Sequence, residues 1–262
     1  MKKKVLVWAP FIKKVGTTTN VLNSLEAFKK YSKNKYEIKL INVFGEWDNY
    51  LNQNKYISKI DLFRSDFIIN ANTNGFLRSR FYTTLIFLRS IIPLINLIRK
   101  NDYEYILCHL VTSLPIFISI FLKKKIRIIL NIAGYPKLNI LRKTFWKLFE
   151  KNIYKVICPS DETKDLIEKK KIFLGDKLIK IEDPHINIRS FNKKRSELAP
   201  KDLPDEEYII CIGRLTKQKN FLFLIESFQS VLNMKPNIKL LIIGEGEQRK
   251  SIENLIKKYN FQ

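Results

Sequence analysis

Ile209-Ile210-Cys211-Ile212-Gly213-Arg214-Leu215-Thr216-Lys217-Gln218-Lys219-Asn220 decides how the rest of this chain is read. Four β-favouring apolar residues end in a glycine, and cations follow at once. A helix-like run comes next, then a second apolar strand, Lys239-Leu240-Leu241-Ile242-Ile243, which ends in Gly244-Glu245-Gly246-Glu247. Strand, glycine turn and helix, twice over, is the pattern of parallel βα units. Glycine turns at strand tips suit anions, because the amides of a helix N-terminus are unpaired and carry a partial positive charge. Arg214 and Lys219 straddle the first turn, so each can set a cation against a diphosphate oxygen. A departing nucleoside diphosphate gains charge in the transition state, where fixed cations act most strongly.

The same alternation runs back to the N-terminus. Apolar runs predict strands at 5–8, 36–43, 105–109, 127–132, 155–158 and 178–181. Between them, helical spacing predicts helices at about 17–30, 78–100, 112–122, 138–152 and 161–170. Thr17-Thr18-Thr19-Asn20 offers capping residues for the first helix, after a loop at 10–16. Pro93 should kink the long helix. Residues 44–75 are polar and asparagine-rich, with a strand suggested at Phe67-Ile68-Ile69. The order predicts an α/β protein of two Rossmann-like domains. The first covers 1–183, a proline- and charge-rich linker 184–206, and a partial second domain 207–262. That second domain shows two strands, where a full nucleotide-binding sheet needs roughly six.

Forty-eight Lys and Arg oppose 25 Asp and Glu across 262 residues, giving +23. Residues 205–262 hold nine cations and seven anions, so residues 1–204 carry 39 against 18, or +21. A basic first domain attracts nucleic acid, anionic lipid head groups or phosphorylated substrates, and a lysine-rich composition can also arise without any partner. No signature of a DNA- or RNA-binding fold accompanies the charge. Cys108, Cys158 and Cys211 each sit in an apolar strand-like run; their odd number and lack of CxxC spacing predict free thiols in a reducing compartment. Met1-Lys2-Lys3-Lys4 resembles the start of a signal peptide, but residues 5–9 are too short for its apolar region. Residues 105–122 imitate a membrane span, yet Cys108-His109 and Thr112-Ser113-Leu114-Pro115 interrupt them where a strand would turn into a helix. The 78–100 helix carries Phe81, Leu85, Leu88, Ile91, Ile92 and Ile95 beside Arg78, Arg80, Arg89 and Arg99, a pattern shared by core helices and by helices lying on anionic membranes. Two histidines 76 positions apart, with no carboxylate pattern between them, argue against a metal site.

The run 211–221, followed by Leu240-Leu241-Ile242-Ile243-Gly244-Glu245-Gly246-Glu247-Gln248-Arg249, closely resembles the group 1 (family 4) glycosyltransferases. Gly134-Tyr135-Pro136-Lys137-Leu138-Asn139, with Arg142-Lys143 and Trp146-Lys147, looks like a branch among bacterial surface-polysaccharide enzymes. Cys158-Pro159-Ser160 and Asp183-Pro184 match further landmarks, so the resemblance covers nearly the whole chain.

This resemblance implies a two-domain GT-B enzyme with its acceptor mainly on the first domain, its nucleotide-sugar donor mainly on the second, and reaction in the cleft between them. It implies transfer of a hexose-like sugar with retention, no metal and no cofactor beyond the nucleotide-sugar co-substrate. By the same resemblance Arg214 and Lys219 hold the donor diphosphate, with Gly16 and then Thr17 meeting it from the other domain, while Gly213, Glu245 and Gly246 line the nucleotide pocket. His109, at the tip of the 105–109 strand, is an acceptor-side candidate, though a lone histidine is more often a structural residue; no catalytic residue is assigned. The expected acceptor is a lipid-linked glycan in surface-polysaccharide or lipopolysaccharide synthesis. The expected place is the cytoplasm, peripheral on the inner face of the cytoplasmic membrane, with an anionic membrane surface as a further partner and no nucleic acid. Two departures stand out. The family's downstream pair of glutamates has no counterpart before residue 262, and Ala133 stands where many relatives carry a histidine or another polar side chain. The alternative is therefore a truncated, inactive or split-enzyme fragment, whose donor site a second chain would complete.

Overall fold

Val5, Leu6, Val7 and Trp8 are all buried, and this apolar run makes β1 (Lys3–Trp8) an interior strand of a seven-stranded, wholly parallel sheet. The computed structural model describes residues 2–12, 16–52, 57–72, 75–122, 126–136, 138–173, 175–198, 200 and 203–261. Residues 13–15 of the expected first loop and residue 137 of the polysaccharide-type landmark lie outside them. The chain divides into two compact units, Met1–Phe191 and Asn192–Gln262.

In the first unit β1 leads to α1 (Gly16–Tyr31), β2 (Tyr36–Asn42), α2 (Asp48–Leu51), β3 (Lys59–Asp61), α3 (Asp66–Ile69) and the long α4 (Phe76–Lys100). There follow β4 (Tyr105–Cys108), α5 (Ser113–Ile118), β5 (Arg127–Asn131), α6 (Ile140–Leu148), β6 (Ile153–Cys158), α7 (Asp161–Lys169) and β7 (Leu178–Lys180). The strand order is β3-β2-β1-β4-β5-β6-β7. The chain thus winds outward from β1 to β3, then returns to β4 on the other side of β1. In register, Val5 pairs with both Ile38 and Tyr105, and Trp8 with Ile41 and Cys108.

Alternate side chains of the central strands feed two cores, one on each sheet face. Leu6, Trp8, Ile41, Ile106 and Cys108 meet Ile86, Leu94 and Ile98 of α4 on one face. Val7, Leu40 and Leu107 meet Val21 and Leu25 of α1 on the other. This two-sided burial explains why residues 105–122 read as one apolar run while forming a strand followed by a short helix. Cys108 and Cys158 are free and buried, as core residues.

Some local expectations are corrected. Thr17, Thr18, Thr19 and Asn20 do not cap α1 but lie inside it, because the helix already begins at Gly16; Thr18 and Asn20 are buried. Phe67-Ile68-Ile69 is a helical turn, since the carbonyl of Ser65 accepts from the amides of Ile68 and Ile69, both at 3.0 Å. The strand beside β2 is Lys59–Asp61 instead. Within the stretch read as a linker lies α8 (Ile188–Arg195), with no buried residue, and the division between the units falls inside it. Short helices rely on their caps: Ser160 Oγ accepts from the Thr163 amide at 3.3 Å at the start of α7. Ser160→Ala is expected to cost about 1 kcal/mol in urea unfolding followed by tryptophan fluorescence.

The second unit holds β8 (Tyr208–Ile212), α9 (Phe221–Met234), β9 (Lys239–Ile243) and α10 (Arg249–Lys258). β8 and β9 pair in parallel from Tyr208 with Lys239 to Ile212 with Ile243. Leu215, Phe221, Ile225 and Ile252 form their core, with Cys211 and Ile242 packed against it. Ile210, Ile212 and Ile243 remain exposed, and among the described residues β9 pairs on one side only.

Candidate functional site

Sequence reading placed its candidates at strand tips, and the structure gathers them in two groups, one in each unit.

In the second unit the turns after β8 and β9 interlock through the backbone. The Gly213 amide donates to Ile243 O at 3.0 Å, the Leu215 amide to Glu245 O at 2.9 Å, and the Gln248 amide to Leu215 O at 2.9 Å. A Cβ on Gly244 would lie 1.8 Å from Gly213 O, and one on Gly246 2.3 Å from Leu215 O. The glycines at 244 and 246 are thus required by two backbones in contact. For Gly246 this packing is the role the geometry gives, beside the nucleotide-pocket role inferred from the family.

Over this platform the chain leaves β8 through a single 3-10 turn, Lys217–Lys219, and Asn220 in the left-handed region (φ 54°) starts α9. Asn220 makes no side-chain cap, and no acidic residue lies in the first turn of α9, so its leading amides face no carboxylate of their own helix. The Lys219 stem lies close over Gly213. Arg214 and Lys219 are both exposed, and among the described residues neither is in an ion pair. Glu245, by contrast, is held by the Arg249 guanidinium. Thr216 Oγ1 and Gln248 Oε1 are buried without a partner among the described residues. Neither was singled out from sequence. So Gly213, Arg214, Lys219, Glu245 and Gly246 converge on one interlocked pair of turns, with two free cations on its rim.

In the first unit the order of strands reverses between β1 and β4, and crevices of open α/β sheets lie at such reversal points beyond the carboxyl ends of the strands. Gly16 and Thr17 open the helix that follows β1. Nothing lies within 4 Å of where a Gly16 Cβ would be. His109 follows β4, its amide donating to Trp8 O at 2.9 Å.

The His109 side chain belongs to a buried polar chain that sequence reading found only in part. Asn131 Nδ2 lies 3.0 Å from His109 Nδ1 and donates to Asp183 Oδ1 at 3.3 Å. Asp183, which only accepts, fixes the amide with its nitrogen toward both partners. His109 Nδ1 must then accept, and the imidazole is neutral with its proton on Nε2. Burial acts in the same direction and pushes the imidazole down to about 4. Nε2 of His109 and Oδ1 of Asn131 are themselves buried without partners among the described residues, which leaves one donor and one acceptor at the strand ends. Ala133 is exposed, so the polar groups here come from Asn131 and His109. The one sequence signal for Asn131 was an amide closing an apolar strand.

Two further features escaped sequence reading. Glu46, after β2, accepts from the amides of Val43 (3.1 Å) and Phe44 (2.9 Å). Desolvation outweighs those bonds and lifts its carboxyl to about 7. Val111 takes a left-handed backbone (φ 47°), strained for a β-branched residue, and the Trp8 indole donates to its carbonyl at 3.2 Å. Among the described residues no three His, Cys, Asp or Glu side chains converge as metal ligands.

Residues 193–262 match the family model described as glycosyl transferases group 1. An uncharacterized glycosyltransferase of Methanocaldococcus jannaschii is 36% identical over 132 residues, 49% of this chain and 32% of its own length. The alpha-monoglucosyldiacylglycerol synthase of Streptococcus pneumoniae is 32% identical over 98 residues, 35% of this chain and 22% of its own length. The chain thus accounts for about a third or less of these curated relatives. A solved glycosyltransferase from Rickettsia africae superposes with a TM-score of 0.65 at 16% identity, covering 100% of this chain and 66% of that one, a likeness of fold. The two interlocked turns, the first of them cationic, therefore lie within the segment that matches the group 1 glycosyltransferase model, in a chain of GT-B-like α/β fold.

Proposed function

We propose that this chain belongs to a retaining glycosyltransferase that moves a sugar from a nucleotide-sugar donor to a lipid-linked glycan in surface-polysaccharide or lipopolysaccharide synthesis, without a metal, at the inner face of the cytoplasmic membrane. The observation that carries it is the pair Arg214 and Lys219, exposed and, among the described residues, without carboxylate partners, beside the interlocked turns after β8 and β9. Two such cations neutralise a leaving diphosphate, and the uncapped start of α9 adds amides to the same rim. The lipid acceptor is supported by the relative whose name is a glucosyldiacylglycerol synthase.

Calorimetric titration with UDP and GDP tests the donor side. Arg214→Ala and Lys219→Ala should each weaken binding about tenfold to a hundredfold, the range for hydrogen bonds to a charged group. Heat of binding that neither substitution alters would place the nucleotide elsewhere and overturn the assignment.

A second reading has its own observation. β9 has one paired edge among the described residues, and Ile210, Ile212 and Ile243 leave a face of the small sheet open. Parallel sheets are ordinarily covered on both faces. In this reading a second chain completes the donor site, and nucleotide binding appears only when that chain is added.

A further inference from the structure

The outer face of α4 combines two properties that water-facing helices keep apart. Leu77 is 81% exposed, Phe81 60%, Leu88 59% and Ile92 70%. At ~100° per residue these four fall within an arc of about 60°. Ile86 and Leu94 lie on the far side, and Ile98 on the flank, all buried in the core. Arg78, Arg80 and Arg89 border the apolar stripe, Arg99 and Lys100 end it, and the helix contains no acidic residue. Its N-terminal end opens into a shallow hollow lined by Asn72, Leu77, Arg78, Phe81 and Tyr82. Exposed Phe67 packs against Tyr82 at 5.7 Å between ring centroids, which widens the apolar surface.

We propose that α4 docks this chain flat on an anionic phospholipid surface, with Leu77, Phe81, Leu88 and Ile92 in the acyl boundary and the flanking arginines at the lipid phosphates. It deepens the lipid-linked acceptor named above by giving the surface that meets the lipid. Three observations select this occupant. An arginine-bordered apolar stripe matches an anionic interface in both polarity and charge. Leu77–Lys100 is long enough to cross a bilayer, and its most apolar 18 residues have a mean hydropathy of 1.7. Crossing, however, would strip Ile86, Leu94 and Ile98 out of the core that packs on β1 and β4. A second copy of the chain is disfavoured by charge: apposed α4 helices would set arginine against arginine with no acid on either.

Flotation of the purified chain with vesicles tests this without any sugar donor. Binding to phosphatidylcholine vesicles containing phosphatidylglycerol should be about tenfold tighter than to phosphatidylcholine alone, and should weaken as salt is raised. Phe81→Gln/Ile92→Gln, at two exposed positions, should keep the circular dichroism spectrum and bind about tenfold to a hundredfold more weakly. Arg78→Gln/Arg80→Gln should remove the preference for anionic vesicles. Arg214→Ala should leave vesicle binding unchanged, so loss of the donor site and loss of docking are told apart. Absence of vesicle binding, equal binding to neutral vesicles, or binding unaffected by the Phe81/Ile92 pair would overturn the proposal. So would resistance to alkaline carbonate, which marks a spanning helix, or a solution dimer that the same pair dissolves.

Discussion

Between pH 7 and pH 4.5, the stability of the first unit is expected to change little in the unaltered protein, and to tilt in opposite directions once His109 or Glu46 is replaced. His109 is held near 4, below its usual 6.5, by burial. A depressed imidazole contributes stability that is fully present above 6.5 and is lost as the pH falls toward 4. A displacement of that size corresponds to about 3 kcal/mol. Glu46 stands the other way round, lifted from 4.5 to about 7. Its contribution is fully present below 4.5 and is lost as the pH rises toward 7. Because Glu46 keeps part of its surface in water, solvent screening leaves it less than the same 3 kcal/mol, about 2. Urea unfolding across this range should therefore show His109→Gln gaining stability with acid and Glu46→Gln losing it. The slope is the readout, since Glu46→Gln also disturbs the amides of Val43 and Phe44 at every pH. Parallel pH profiles for all three proteins would mean that neither group is buried as described.

Gly244→Ala is the substitution with the largest expected effect in the second unit. The new Cβ would lie 1.8 Å from a backbone oxygen, which no rotamer change can relieve. The turns must part, and the Gly213 to Ile243 and Leu215 to Glu245 hydrogen bonds go with them. The expected cost is about 3 kcal/mol, at the upper end for overpacking. Trp8, Trp47 and Trp146 all belong to the first unit, so tryptophan fluorescence should follow an unchanged transition. Hydrogen exchange at the β8 and β9 amides should accelerate roughly a hundredfold. An unchanged exchange pattern would show that the two turns do not interlock. UDP binding should weaken in the same variant, because Arg214 and Lys219 ride on that platform.

Much of the fold was legible because parallel strands buried on both faces leave unbroken apolar runs, as at 5–8 and 106–108; residues 209–212 read the same way although Ile210 and Ile212 are exposed. Strand order was not legible. Nothing in the spacing tells β1 to lie between β2 and β4 rather than at an edge. Short elements also failed, because Lys59–Asp61 carries too few apolar residues to signal a strand and Asp66–Ile69 too many to exclude one. At the site, Arg214 and Lys219 were readable as cations beside a glycine turn. The polar chain through His109, Asn131 and Asp183 was hidden, since its members lie 22 and 52 positions apart and meet only through the sheet. Glu46 was hidden for a related reason: no local pattern reveals that a loop carboxyl will lose its water.

The place of β1 has a consequence for synthesis. Val5 needs Tyr105 as its neighbour on one side, so the ribosome must emit about a hundred residues before the oldest strand can finish pairing. Until then one apolar edge of the nascent chain stays available to chaperones and to other nascent chains. Brief pauses in translation within α4 would prolong that exposure.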